Sequence, residues 1–265
     1  MSKKIAIIGG GNLGSSIADG LIQSEFSRPV EITITKRNLS SLSRFAERGC
    51  MVHNDNKKAV RSADIIILAV KPYNSENIIK EIRTSLNPKK HLLISVITGV
   101  WIEQMKKAIG KPIPVIRAMP NTAIAIQQSM TCLAHDGASQ SQLNYVTDLF
   151  DQLGKSVWID EKLMDAATVL GACGTAYAMR YIRANIQGGI EIGFNAATAT
   201  LIAAQTVKGA AQLLLEKGTH PEYEIDKVTT PKGCTIAGLN EMEHQGFSSS
   251  LIRGVVASYN KIGKD

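Results

Sequence analysis

The chain has 265 residues, of which 44% are hydrophobic, 20% charged and 5% aromatic, with a mean hydropathy of +0.00; this balance excludes disordered and fibrous classes and allows one large domain or two smaller ones. Its longest apolar run, Ile65 to Val70, is far short of the roughly 20 residues that a membrane-crossing helix needs. The net charge of +7 is spread over dispersed pairs such as Lys57-Lys58 and Lys89-Lys90, with no basic stripe interleaved with aromatics, which argues against nucleic acid and for attraction of an anionic small molecule.

Met1-Ser2-Lys3-Lys4 runs straight into an apolar Ile5-Ala6-Ile7-Ile8 with no small-residue cleavage site, so a cytoplasmic location is expected. Up to about residue 160, short β-rich runs alternate with helical stretches. The predicted strands are 4–9, 30–35, 64–70, 91–97, 114–117, 130–134 and 156–159. The 64–70 run is nearly all apolar, as in a strand buried on both faces. It predicts a doubly wound, Rossmann-type α/β fold with a parallel sheet between two layers of helices. From about Asp160 the β signal gives way to Ala-rich segments, 163–186 and 196–216, which predict an all-helical second domain. The expected division is therefore 1–160 for a nucleotide-binding domain and 161–265 for a helical one. Apolar positions on more than one face of 196–211 predict that the helical domain is covered by a second copy, in a homodimer or higher homo-oligomer. Cys50, Cys132, Cys173 and Cys234 have no Cys-x-x-Cys spacing and no nearby histidine, so neither a metal site nor a disulfide framework is expected.

Gly9-Gly10-Gly11-Asn12-Leu13-Gly14 lies between the first strand and a helix, the context in which G-x-G-x-x-G binds a dinucleotide. Gly9 permits the turn, Gly11 lets backbone approach a pyrophosphate, and Gly14 lets helix and strand pack. At the tip of the second strand, where an NAD-binding fold carries an acid for the ribose, the chain reads Thr35-Lys36-Arg37-Asn38. Two cations and no acid favour the 2′-phosphate of NADPH, with NADH bound more weakly. Ala69-Val70-Lys71-Pro72 and Arg117-Ala118-Met119-Pro120-Asn121-Thr122 end two strands at prolines, at the edge where such sheets bind ligands.

Taken together, 9–14, Asn56-Lys57, 69–72 and 119–122, with Ala204-Gln205-Thr206-Val207-Lys208-Gly209-Ala210-Ala211 and the stretch from Val228 to Leu239, resemble the pyrroline-5-carboxylate reductase family over residues 4 to about 260. The resemblance implies NADPH-dependent reduction of 1-pyrroline-5-carboxylate to L-proline, the last step of proline biosynthesis. It implies cofactor contacts from Gly9, Gly11, Asn12, Leu13, Gly14, Lys36, Arg37, Asn56, Ala69, Val70, Lys71, Pro72, Met119, Pro120 and Asn121. It further implies that Gly233, Cys234 and Thr235 hold the substrate, with Thr235 as the orienting hydrogen-bond donor and the loop of one subunit beside the nicotinamide of the other. Lys232, Ala123 and Thr175 depart from the family pattern, which has glycine, proline and proline at those places. Two readings of Thr235 stay open, substrate contact or N-terminal helix cap. Also open are reduction of another imine, 3-hydroxyacid dehydrogenation through Lys208, and a non-catalytic NADP(H)-binding regulator.

Overall fold

The structure, a computed structural model, describes residues 3–262. One sheet holds β1 (Ile5–Ile8), β2 (Ile32–Thr35), β3 (Met51–His53), β4 (Ile65–Leu68), β5 (Leu92–Ser95), β6 (Val115–Met119), β7 (Ser129–Asp136) and β8 (Gly154–Trp158), in the order β3-β2-β1-β4-β5-β6-β7-β8. The helices between them are α1 (Asn12–Gln23), α2 (Ser43–Glu47), α3 (Asn56–Ser62), α4 (Ser75–Ile82), α5 (Ile102–Ile109) and α6 (Gln140–Asp151), followed by α7 (Met164–Ala167).

Strand alternation distributes the side chains between two cores. Ile5, Ile7, Ile32, Ile34, Ile65 and Ile67 face α1, α2 and α6, where Ile17, Leu21, Phe45, Leu149 and Phe150 meet them. Ala6, Ile8, Ile66, Leu68 and Leu93 face α3, α4 and α5, against Val60, Ile79, Ile82 and Met105. Both faces of β1 and β4 are thus apolar because both are covered, as the sequence pattern requires.

β1 to β6 are parallel, whereas β7 runs antiparallel to β6 and β8 parallel to β7. The reversal follows from chain length: only Pro120 to Gln128, with a 3₁₀ turn over Thr122–Ile126, separates β6 from β7, too little for a parallel crossover. The sequence reading misses β3, which has three residues at the sheet edge and carries no apolar run.

Contacts divide the chain into two compact units, the first ending at Cys173 and the second running from Gly174 to Lys261. Residues 161–173 stay with the sheet because Met164 packs on Met119 of β6 and Ala134 of β7. The helix expected over 163–186 is interrupted by a π-helical stretch, Thr168–Cys173. There the Thr168 hydroxyl donates to the Met164 carbonyl at 2.8 Å, and the Gly171 carbonyl accepts from the Asn121 amide at 3.2 Å.

The second unit contains α8 (Gly174–Glu191), α9 (Ala196–Lys217), α10 (Pro221–Lys227), α11 (Cys234–His244) and α12 (Phe247–Lys261). Asn195 caps α9 by accepting from the Thr198 amide, and Gly218 ends it at φ +62°. Among its described residues the buried apolar side chains are Ile186, Ala199 and Ala203. Leu201 is 70% exposed and Leu215 77%. No helix among the described residues is long and apolar enough to cross a membrane.

At the amino end of β5, His91 is buried and its Nδ1 accepts from the Asn87 amide at 3.0 Å. Burial, reinforced by the positive charge of Lys90, holds its imidazole below the usual 6.5. The unfolded chain then binds the extra proton first as pH falls, so the stability contributed by neutral His91 is present above about 6.5 and is lost below it. His91→Gln, which keeps an acceptor, should flatten the dependence of Tm on pH between about 5 and 7; parallel curves for the two proteins would refute this.

Candidate functional site

In the first unit the carboxyl ends of β1 to β5 are in register, and the end of β5 lies beside the middle of β6. Ile8 pairs with Thr35 and with Leu68, Leu68 with Ser95, and Ser95 with Arg117. The chain leaves β1 toward α1 on one face of the sheet and leaves β4 toward α4 on the other. Adjacent strands whose connections diverge in this way open a crevice at their carboxyl ends, where ligands bind in such sheets.

The glycines at this crevice have separate causes. Gly9 has φ +111°, and a Cβ there would lie 2.5 Å from the Ala69 carbonyl oxygen. A Cβ on Gly14 would collide with the Gly9 carbonyl oxygen and approach Ile7 to 3.1 Å. Folding alone requires both. Gly11 differs: a Cβ there would meet nothing within 4 Å, and its φ of −80° suits any residue. The protein's own packing thus does not require a glycine here, and the backbone at the start of the helix is open to approach. The first turn of α1 carries no acid and its end has no side-chain cap, so the amides that begin it favour an anion. Asn12 is exposed, while Leu13 packs against the core.

The other expected cofactor residues of this unit reach the same edge. The Thr35 carbonyl accepts from Gly9 and Gly10, and the Lys36 amide donates to His53 of β3. Lys36 is half-buried and Arg37 exposed, and among the described residues neither forms an ion pair. Asn56 follows β3, and its side-chain amide donates to Glu81 of α4 at 3.1 Å. Ala69 hydrogen-bonds to Ile8, and Lys71 leads into the Pro72–Asn74 turn with its side chain exposed. Met119 and Pro120 are buried. Asn121 accepts from Ala123 and donates to Gly171, so its side chain is engaged within the protein. Sequence reasoning misses the turn 96–101, which reaches this edge when Val96 donates to Leu68; the Thr98-Gly99 pair after an apolar strand was the available signal.

Gly233, Cys234 and Thr235 lie in the second unit at the start of α11. Gly233 is the N-cap and no side chain caps the helix, so the cap reading of Thr235 is corrected. The Thr235 side chain is half-buried, and its hydroxyl makes no hydrogen bond among the described residues. The preceding turn closes with the Gly233 amide on the Thr230 carbonyl at 3.0 Å, with Pro231 second and Lys232 third at φ +58°. That is the type II pattern, which ordinarily takes glycine in third place. Lys208 lies exposed on α9.

Residues 161–264 match the family described as "Pyrroline-5-carboxylate reductase dimerisation", and residues 4–99 match "NADP oxidoreductase coenzyme F420-dependent". Pyrroline-5-carboxylate reductase 1 of Dictyostelium discoideum is 47% identical over 97% of this chain, which spans 49% of that relative, about half its length. Pyrroline-5-carboxylate reductase 2 of the same organism is 41% identical, with 99% of this chain and 93% of the relative covered. A solved pyrroline-5-carboxylate reductase of Coxiella burnetii is 29% identical, with a TM-score of 0.92 and coverage of 99% and 98%.

The two glycine types should separate on substitution. Gly11→Ala should keep stability within about 1 kcal/mol yet weaken binding of a dinucleotide at least tenfold. Gly14→Ala should cost on the order of 3 kcal/mol through overpacking. Thermal melts and cofactor titration of both variants check this, and equal melting temperatures would defeat the distinction.

Proposed function

The chain belongs to the pyrroline-5-carboxylate reductase family, and we propose on that premise that it reduces 1-pyrroline-5-carboxylate to L-proline with NADPH as the preferred cofactor. The observation that carries this reading is that the likeness extends through both units. A Rossmann-type unit alone is compatible with many nicotinamide-dependent reactions. The match at 161–264 restricts the choice to this family.

The residues at the crevice suit a phosphorylated dinucleotide. Gly9 to Gly14 and the start of α1 would receive the pyrophosphate, and Lys36 and Arg37 the 2′-phosphate. The backbone of 69–72 and 119–121 would flank the nicotinamide, with Asn56 beside the ribose end. When bound, NADPH supplies the hydride, which adds to C5 of the cyclic imine while the ring nitrogen carries a proton. A protonated imine is already a strong electrophile. The protein's task is therefore orientation and charge matching more than proton donation. Amides at the start of α11, with Gly233 and Cys234, would hold the carboxylate, and the free Thr235 hydroxyl would fix the ring beside it. The helical unit works as a homodimer, which covers the apolar side chains that one copy leaves exposed. The division into a cofactor domain, 1–160, and a dimerisation and substrate domain, 161–265, follows the same reading. A cytoplasmic compartment belongs to the proposal.

Replacing Lys36 and Arg37 together with alanine should weaken NADPH at least tenfold more than NADH, since charge-assisted hydrogen bonds contribute roughly 1.5–3 kcal/mol each. Equal losses for both cofactors would reject the 2′-phosphate assignment. Thr235→Ala should lower kcat/KM for pyrroline-5-carboxylate by roughly five- to 150-fold, the cost of leaving one buried partner unpaired. NADPH affinity should hold within about twofold and Tm should stay unchanged, because Gly233 caps the helix. Unaltered kcat/KM would remove Thr235 from the site.

A further inference from the structure

Arg117 stands in the middle of β6 with a side chain only 1% exposed. Its Nη1 donates to Glu161 Oε1 at 3.0 Å, and its guanidinium carbon lies 5.4 Å from the centre of the Trp101 ring. Nε and Nη2 are buried without a hydrogen-bond partner among the described residues. A buried guanidinium with two nitrogens unsatisfied weakens the fold, and an apolar side chain of similar length would remove that cost while leaving Glu161, 23% exposed, on the Ile102 amide. Stability therefore does not account for arginine here.

The same Glu161 oxygen accepts the Ile102 amide at 2.8 Å, at the first residue of α5. One carboxylate thus joins β6, the start of α5 and the 3₁₀ turn Glu161–Leu163, and it sits where the helix dipole favours negative charge. Between β5 and α5 lies the turn 96–101. Its first residue is held by the hydrogen bond from Val96 to Leu68, directly before Ala69. Its last, Trp101, is held by the stacked guanidinium and by the Glu161 anchor on the next amide. Gly99, at φ +75°, marks the bend between these fixed ends.

We propose that Arg117 and Glu161 are positioning residues that hold the turn 96–101 at the crevice beside 69–72, and so set the placement of the reacting ring. This rests on the cofactor reading above. Neither side chain touches substrate in this role. The pair acts through the turn, and it exchanges stability for a fixed geometry where an apolar pair would leave the turn free to shift. The affinity for NADPH is dominated by its phosphates at the other end of the crevice, so the loss falls on turnover.

The test uses the intact enzyme with NADPH and pyrroline-5-carboxylate. Arg117→Met is expected to leave Tm unchanged or raised and Kd for NADPH within about threefold. It should lower kcat by about 10- to 100-fold, the scale of a misplacement of about 1 Å. Arg117→Lys, whose ammonium can still reach Glu161, should recover kcat to within about fivefold of the wild type. A methionine variant with kcat within about threefold of the wild type, or a fall in kcat that tracks a fall in Tm and is not recovered by lysine, overturns the positioning role alone. A wild-type enzyme that binds no NADPH overturns the cofactor reading and this one with it.

Discussion

Helix α1 starts so close to the end of β1 that a methyl group on Gly14 would strike the Gly9 carbonyl oxygen, and much of the first unit is arranged around that close approach. It brings the start of α1 to the carboxyl end of the central strand. Gly9 and Gly10 then reach the Thr35 carbonyl, and Ala69 comes up against Gly9 from the other side. Three strands are locked into one row by a contact that admits no side chain. What this leaves over, amides at the start of the helix and an open approach at Gly11, is what the proposed dinucleotide site would use.

The second unit is built on a different balance. Its helices are stable-looking by propensity, rich in alanine and capped at both ends of α9, yet they bury little of their own apolar surface. Tyr177 and Ser258 share a hydroxyl hydrogen bond of 2.5 Å between α8 and α12, and Gly189 brings α8 close to Ala199 of α9. These ties set local geometry without making a core. The remaining apolar area, including a groove of about 490 Å³ edged by Tyr181, Phe194 and Ile202, matches a family whose helical part is a dimerisation unit. A second copy covering this area would add to the stability of such a unit.

The parallel sheet was legible because double burial leaves an unmistakable apolar run in β4, and the glycine turn because its three glycines stand at meaningful spacings. β3 was not, since an edge strand of three residues needs no apolar signature. The break at 168–173 has no proline or cap to announce it, and the Asn121 amide that meets the Gly171 carbonyl there comes from 50 residues away. Arg117 could be read as a charge in an apolar strand, but Glu161 and Trp101 come to it only through the fold. Asn56 and Asn121 are implied by resemblance, and their side chains have partners within the protein.

The turn before α11 carries a consequence for how a small anion is received. Proline fixes one dihedral of residue 231, and Lys232 is held in a left-handed conformation that L-residues avoid. The cost of shaping this loop is therefore met when the chain folds, before any ligand arrives. In the proposed site, binding to the amides of Cys234 and Thr235 would then surrender little backbone entropy. Such a loop would act as a mould rather than a clasp, its shape set before the anion arrives.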